Sequence, residues 1–128
     1  MKTYQAVTLA VITGFGLGAA AVEGLRAQAQ PPAYYVAMNQ VNDRDHYLND
    51  FASKMTPLII SGGGQFIVRG GQAKALEGEP PKSRIVIIHF DNMDKLMAWY
   101  KSPKVADLQK TGDKYATINS FAVEGAAK

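Results

Sequence analysis

Hydrophobic residues fill both alternating faces of Arg84-Ile85-Val86-Ile87-Ile88-His89-Phe90. Ile85 and Ile87 point one way and Val86, Ile88 and Phe90 the other, so the run reads as a central strand that needs a cover on each side. A second strand is expected over Tyr34 to Val41, with Tyr35, Ala37, Asn39 and Val41 on one face and Tyr34, Val36, Met38 and Gln40 on the other. Asn42 and Asp43 offer helix-capping oxygens. Beyond them Tyr47, Leu48, Phe51, Met55, Leu58 and Ile59 recur at three- and four-residue spacing, the mark of an amphipathic helix. Pro57 is expected to kink or interrupt its last turns, and Gly62-Gly63-Gly64 to end it.

Gln65 to Arg69 reads as a strand, Gly70-Gly71 as a tight turn and Gln72 to Glu77 as the returning strand of a β-hairpin. After the central strand, Asp91-Asn92 starts a helix whose apolar face carries Met93, Leu96, Trp99 and Tyr100. Ser102-Pro103 both stops that helix and starts a short one, Val105 to Lys110, with Ser102 as N-cap. Lys114 to Val123 completes the pattern as a weakly alternating strand. The order is βαββαβ with an added ribbon, an α+β ferredoxin-like sheet with its helices on one face. Its other face is left apolar, and such a patch is larger than monomers usually expose. The partner expected there is a second copy of the chain, closing a dimeric α/β barrel.

The residues before this pattern form a separate segment. Lys2 gives a thin positive start, Ala6 to Val22 is apolar and uncharged, and Ala27-Gln28-Ala29 is a small-x-small site for cleavage before Gln30. Residues 1–29 are therefore read as a secretory signal, 30–33 as a proline-stiffened linker and 34–125 as the folded domain. Export to the periplasm or the medium follows, with no stable membrane association once the leader is cut; an uncleaved anchor helix is the alternative. The chain has no cysteine and a formal charge of +3, which becomes +2 without Lys2, Glu23 and Arg26. That excludes disulfides and thiol chemistry, and is too little charge for a nucleic-acid footprint.

Gly63-Gly64, Arg69-Gly70-Gly71, Leu76-Glu77-Gly78, Phe90, Trp99-Tyr100, Ser102-Pro103 and Val123-Glu124-Gly125 stand at spacings that resemble the family called domain of unknown function 1330. That family belongs to the dimeric α/β-barrel superfamily. The resemblance spans about Ala33 to Gly125 and implies a ferredoxin-like fold and a homodimer. Its relatives include cofactor-free monooxygenases, isomerases, haem-degrading enzymes and dehalogenases, so it implies no single chemistry. His89 stands where an acidic residue is common, and Val105 where an aromatic one is.

Candidate chemistry is thinly spread. His89 shares a face with Ile85 and Ile87, and an imidazole can move a proton near neutral pH; a hydrogen-bonded structural histidine is the plainer reading. Arg69 can clamp an acid with two parallel hydrogen bonds or pair with Glu77 across the hairpin. Glu77 is a base if buried and a surface carboxylate otherwise. Tyr35 and Asn39 share a strand face and are candidates to line the same cleft as His89. Trp99 and Tyr100 read as core. Two histidines without metal-type spacing supply no metal site, and neither a P-loop, a dinucleotide fingerprint nor a nucleophile elbow is present, so no cofactor is expected. The expectation is a dimer that binds a small polar or acidic organic molecule in a cleft between helices and sheet. A cofactor-free enzyme using His89 and a purely structural dimer are the alternatives.

Overall fold

The strand Arg84–Phe90 lies inside the sheet, hydrogen-bonded on both sides, because only an interior position buries so continuous an apolar run. The structure, a computed structural model, describes residues 30–126; the leader and the cleavage site expected in residues 1–29 lie outside the described residues. Within Pro31–Ala126, which form one compact unit, four strands make an antiparallel sheet: β1 (Ala33–Val41), β2 (Gln65–Arg69), β3 (Arg84–Phe90) and β4 (Ala116–Glu124). Their order is β2-β3-β1-β4. This is the α+β ferredoxin-like arrangement expected from the pattern.

Helical segments cover one face. The first runs as α1 (Arg44–His46), a π-helical stretch (Tyr47–Ala52) and α2 (Ser53–Ser61); α3 (Met93–Tyr100) and α4 (Pro103–Gly112) follow β3. Asp43 starts the first run by accepting the His46 N–H at 3.2 Å, and Asn92 starts α3 by accepting that of Lys95 at 2.9 Å. Ser102 stands at the start of α4, but its hydroxyl donates back to the Trp99 carbonyl at 2.8 Å instead of capping. None of these helices is long and apolar enough to cross a membrane.

Val86, Ile88 and Phe90 project under the helices and pack with Tyr35, Leu96, Trp99 and Val105 as the core. Each such side chain contributes roughly 1.5–3 kcal/mol when fully buried. Gly64 lies tight against both layers, since a Cβ there would stand 2.7 Å from Ile59 of α2 and 2.9 Å from Ile88 of β3. The opposite face carries Ile85, Ile87 and His89 of β3, and β4 adds Phe121 and Val123, both about half exposed.

Two expectations are corrected. The hairpin is absent: Gln72 to Glu77 forms no strand and is exposed throughout, while β2 pairs with β3. Gln72-Ala73-Lys74-Ala75-Leu76-Glu77 holds no β-branched or aromatic residue, whereas β3 is built of them, so β3 is the better partner. Pro57 does not end its helix either, since α2 continues through it to Ser61. The irregularity falls one turn earlier, in the π-helical stretch. There Thr56 Oγ1 donates to the Ala52 carbonyl at 3.0 Å and Ser53 Oγ to the Asn49 carbonyl at 2.8 Å, supplying side-chain donors where the helix changes pitch.

Candidate functional site

A narrow cavity of about 50 Å³ opens between the covered face of the sheet and the first helical run. That is several times the roughly 10–15 Å³ that one water needs. Tyr35 and Asn39 reach it from β1, Arg84 from β3, Arg69 from β2, Tyr47 from the π-helical stretch and Trp99 from α3. Strand alternation explains the first three. Odd positions of β1 and even positions of β3 face the helices, and the register sets Asn39 directly opposite Arg84.

Arg69 arrives by a different device. Gln65 pairs with His89 and Phe66 with Ile88, but Val68 then pairs with Ile87 and Arg69 with Val86, so one extra residue bulges from β2 at Ile67. The bulge resets the alternation. Arg69 therefore shares the covered face with Phe66 and Val86, its guanidinium lying 4.4 Å from the Phe66 ring centre and donating to Thr56 Oγ1 at 2.8 Å.

The polar groups around the cavity are incompletely satisfied. Asn39 is 4% exposed, and its Nδ2 donates to the Tyr47 hydroxyl at 2.7 Å. Its Oδ1 has no hydrogen-bond partner, and the same is true of the buried Arg84 Nε and Trp99 Nε1. Each such atom costs about 1–3 kcal/mol when left unpaired away from water, and all three belong to residues that line the cavity. The Arg84 guanidinium lies 5.7 Å from the Tyr47 ring centre. Ion pairs among the described residues join Asp43 to His46 and Asp91 to Lys95, so neither cavity arginine meets a carboxylate there.

Burial pushes the Tyr35 hydroxyl above its ordinary value, with hydrogen bonding to Ser120 and Gln109 offsetting part of the rise. A phenol made less acidic stays protonated at neutral pH. Among the described residues no carboxylate and no imidazole lines the cavity. Its chemistry is that of cationic and neutral donors set in aromatic walls.

The structure separates residues that the sequence pattern put together. His89 lies on the uncovered face, edge-on to Tyr34 at 5.5 Å between ring centres, while Tyr35, Asn39 and Arg69 lie on the covered one. A shared site of His89 and Arg69 is therefore excluded, and the reason is the bulge, which moves Arg69 off the parity it would hold in a regular strand. Glu77 is exposed and outside the cavity, and Arg69 bonds Thr56 in place of the carboxylate expected across a hairpin. Arg84, Tyr47 and Trp99 were not among the expected site residues. Arg84 carried a legible signal, a charge on the parity of Val86, Ile88 and Phe90; Tyr47 and Trp99 carried none beyond a core stripe. Among the described residues no three histidine, aspartate or glutamate side chains converge as a metal site would require.

The fold and the short motifs have a counterpart among known sequences. A family model described as domain of unknown function (DUF1330) matches residues 32–126, most of the chain. The chain belongs to that family. No curated protein matches it. Among solved structures, a protein of unknown function from Rhodopseudomonas palustris superposes with a TM-score of 0.60 at 10% identity, over 76% of this chain and 84% of the other. An EthD-like protein from Ralstonia eutropha gives 0.54 at 16% identity, over 74% and 92% of the two chains. SnoaB, a cofactor-independent oxygenase from Streptomyces nogalater, gives 0.52 at 9% identity, over 77% and 96%. At such identities the likeness of this DUF1330 protein to these structures is one of fold, that of the dimeric α/β barrels.

Proposed function

We propose that this protein is an exported homodimer whose cavity binds a small organic molecule bearing a polar or acidic group. One observation carries the binding reading. Asn39, Arg84 and Trp99 each carry a buried polar atom without a protein partner and all line the same cavity, which supports a polar ligand there. Binding is favoured over acid–base turnover because the described lining holds neither a carboxylate nor an imidazole.

Export and self-association rest on other features. The apolar segment Ala6 to Val22 followed by Ala27-Gln28-Ala29 supports a cleaved leader. The uncovered sheet face, with Ile85, Ile87, Phe121 and Val123, supports a second copy packed sheet to sheet.

Native mass spectrometry of protein recovered from the cells that express the full chain tests all three parts. The expected species is a dimer of chains beginning at Gln30, carrying a small non-covalent adduct that is lost on mild activation. Chains that still begin at Met1, a monomer at micromolar concentration, or a dimer with no adduct and no small-acid stabilisation would each remove the corresponding part.

A further inference from the structure

Size limits the ligand more sharply than polarity does. The cavity measures about 50 Å³, whereas a benzene ring occupies an apolar cavity of about 150 Å³ and a single water needs roughly 10–15 Å³. On that scale the space holds about two to four non-hydrogen atoms. Aromatic acids, sugars and nucleotides are too large for it.

Charge then fixes the sign of the occupant. Arg69 and Arg84 both line the cavity, and among the described residues no carboxylate joins them there. A guanidinium keeps its proton at neutral pH, so the missing counter-charge has to come from an anion. Both arginines are held in place. The Arg84 guanidinium lies 5.7 Å from the Tyr47 ring centre, and a Cβ on Gly70 would stand 2.7 Å from its Cζ. Arg69 lies over the Phe66 ring and donates to Thr56 Oγ1 at 2.8 Å. The flat fork of a guanidinium matches a carboxylate, which takes two N–H groups side by side. Asn39 is able to add a third donor: with its amide turned end for end, the Tyr47 hydroxyl donates to Oδ1 and Nδ2 is released.

On the reading of the cavity given above, we infer that its ligand is a carboxylate of one or two carbons, formate or acetate in size. Arg84 supplies charge and hydrogen bonds, Arg69 a second positive charge, and the Asn39–Tyr47 pair neutral polar groups. Phe51, Met55 and Ile59 wall the rest of the space and leave no room for a longer chain. So few atoms also limit affinity, and the expected dissociation constant lies between roughly 0.1 and 10 mM. The inference asks nothing of His89 and names no reaction.

Titrations of the purified protein followed by NMR suit binding this weak. The chain has one tryptophan, so the Trp99 indole N–H and the assigned Arg84 Nε–H report on the lining. The ligands are sodium formate, acetate, propanoate and benzoate, with acetamide as the neutral counterpart of acetate, all at constant ionic strength. Formate and acetate are expected to give saturable shifts, propanoate and acetamide to bind about tenfold more weakly or worse, and benzoate to give none. Arg84→Gln should weaken acetate about tenfold or more, and Arg84→Lys, which keeps the charge, by less. Met55→Ala removes part of a wall and should bring propanoate level with acetate, a change that a surface site on the arginines would not show. The ligand series is read on the unaltered protein, so a variant that fails to fold does not shield the inference.

Equal affinity for acetate and acetamide, affinity that rises from acetate through propanoate to benzoate, or an unchanged size limit in folded Met55→Ala would each overturn the inference. The same holds if none of the five binds while native mass spectrometry shows another molecule retained, which leaves the cavity a binding site of another class. If none binds and nothing is retained, the binding reading fails with it.

Discussion

Asp43 and His46 form a small self-contained unit at the start of α1. Asp43 accepts both the His46 backbone N–H at 3.2 Å and its Nδ1 at 2.7 Å, and the imidazole stacks on Tyr115. The backbone hydrogen bond, then the side-chain one, holds the Asp43 carboxyl below its ordinary value. The bond to Asp43 raises His46 above its own, with Asp50 and Asp45 adding to the rise. The signs define a window. The Asp43 contribution is complete above the ordinary carboxylate value and is lost as pH falls through its lowered one; the His46 contribution is complete below the ordinary imidazole value and is lost as pH rises through its raised one. Asp43→Asn keeps a capping oxygen and removes the charge, so His46 should titrate closer to an unperturbed imidazole while the helix persists. An NMR titration of the His46 ring protons decides it: an unchanged midpoint would show that the pair contributes nothing to the titration.

At the scale of elements, the order of strands and helices was legible because its signals are local and agree with one another. Alternation in Ala33–Val41 and Arg84–Phe90, the capping residues Asp43 and Asn92, and the apolar stripe through Tyr47, Phe51 and Met55 all point to the structure that forms. Pairing between elements was less legible, since a Gly-Gly turn advertises a hairpin whether or not the returning segment has residues to hold it. Least legible was the side of the sheet that Arg69 would face, because a bulge depends on the partner strand and leaves no mark in the composition of Gln65–Arg69. The turn after β2 tests how that edge supports the cavity. Gly70 has φ +68° and its N–H donates to the Ile85 carbonyl at 2.7 Å; a Cβ there would lie 2.7 Å from Arg84 Cζ. Gly70→Ala should cost about 1–2 kcal/mol through the left-handed backbone alone, and should weaken acid binding by displacing the guanidinium. Gly71→Ala meets nothing within 4 Å and should be nearly neutral. Chemical denaturation of both variants makes the comparison, and equal stabilities would show that the turn tolerates a side chain.

For the whole molecule, the sheet divides its demands by side. Helices cover Val86, Ile88 and Phe90, while Ile87, between Val36 of β1 and Val68 of β2, lies on the uncovered face. Placing a charge there should cost little in a monomer and much in a sheet-to-sheet dimer, where it would lose water without gaining a partner. Ile87→Asp is therefore expected to shift sedimentation from dimer to monomer while leaving the cavity and its ligand preferences in place. Unchanged sedimentation would place the partner surface elsewhere. The bulge at Ile67 bears on the same division. An in-frame loss of that single codon would give β2 regular alternation with Arg69 still opposite Val86, so the arginine would keep its place at the cavity. A strand of unchanged length paired without the bulge would instead turn the arginine to the uncovered face. Within a lineage of such proteins, a gap of one position at Ile67 is therefore compatible with an inherited cavity.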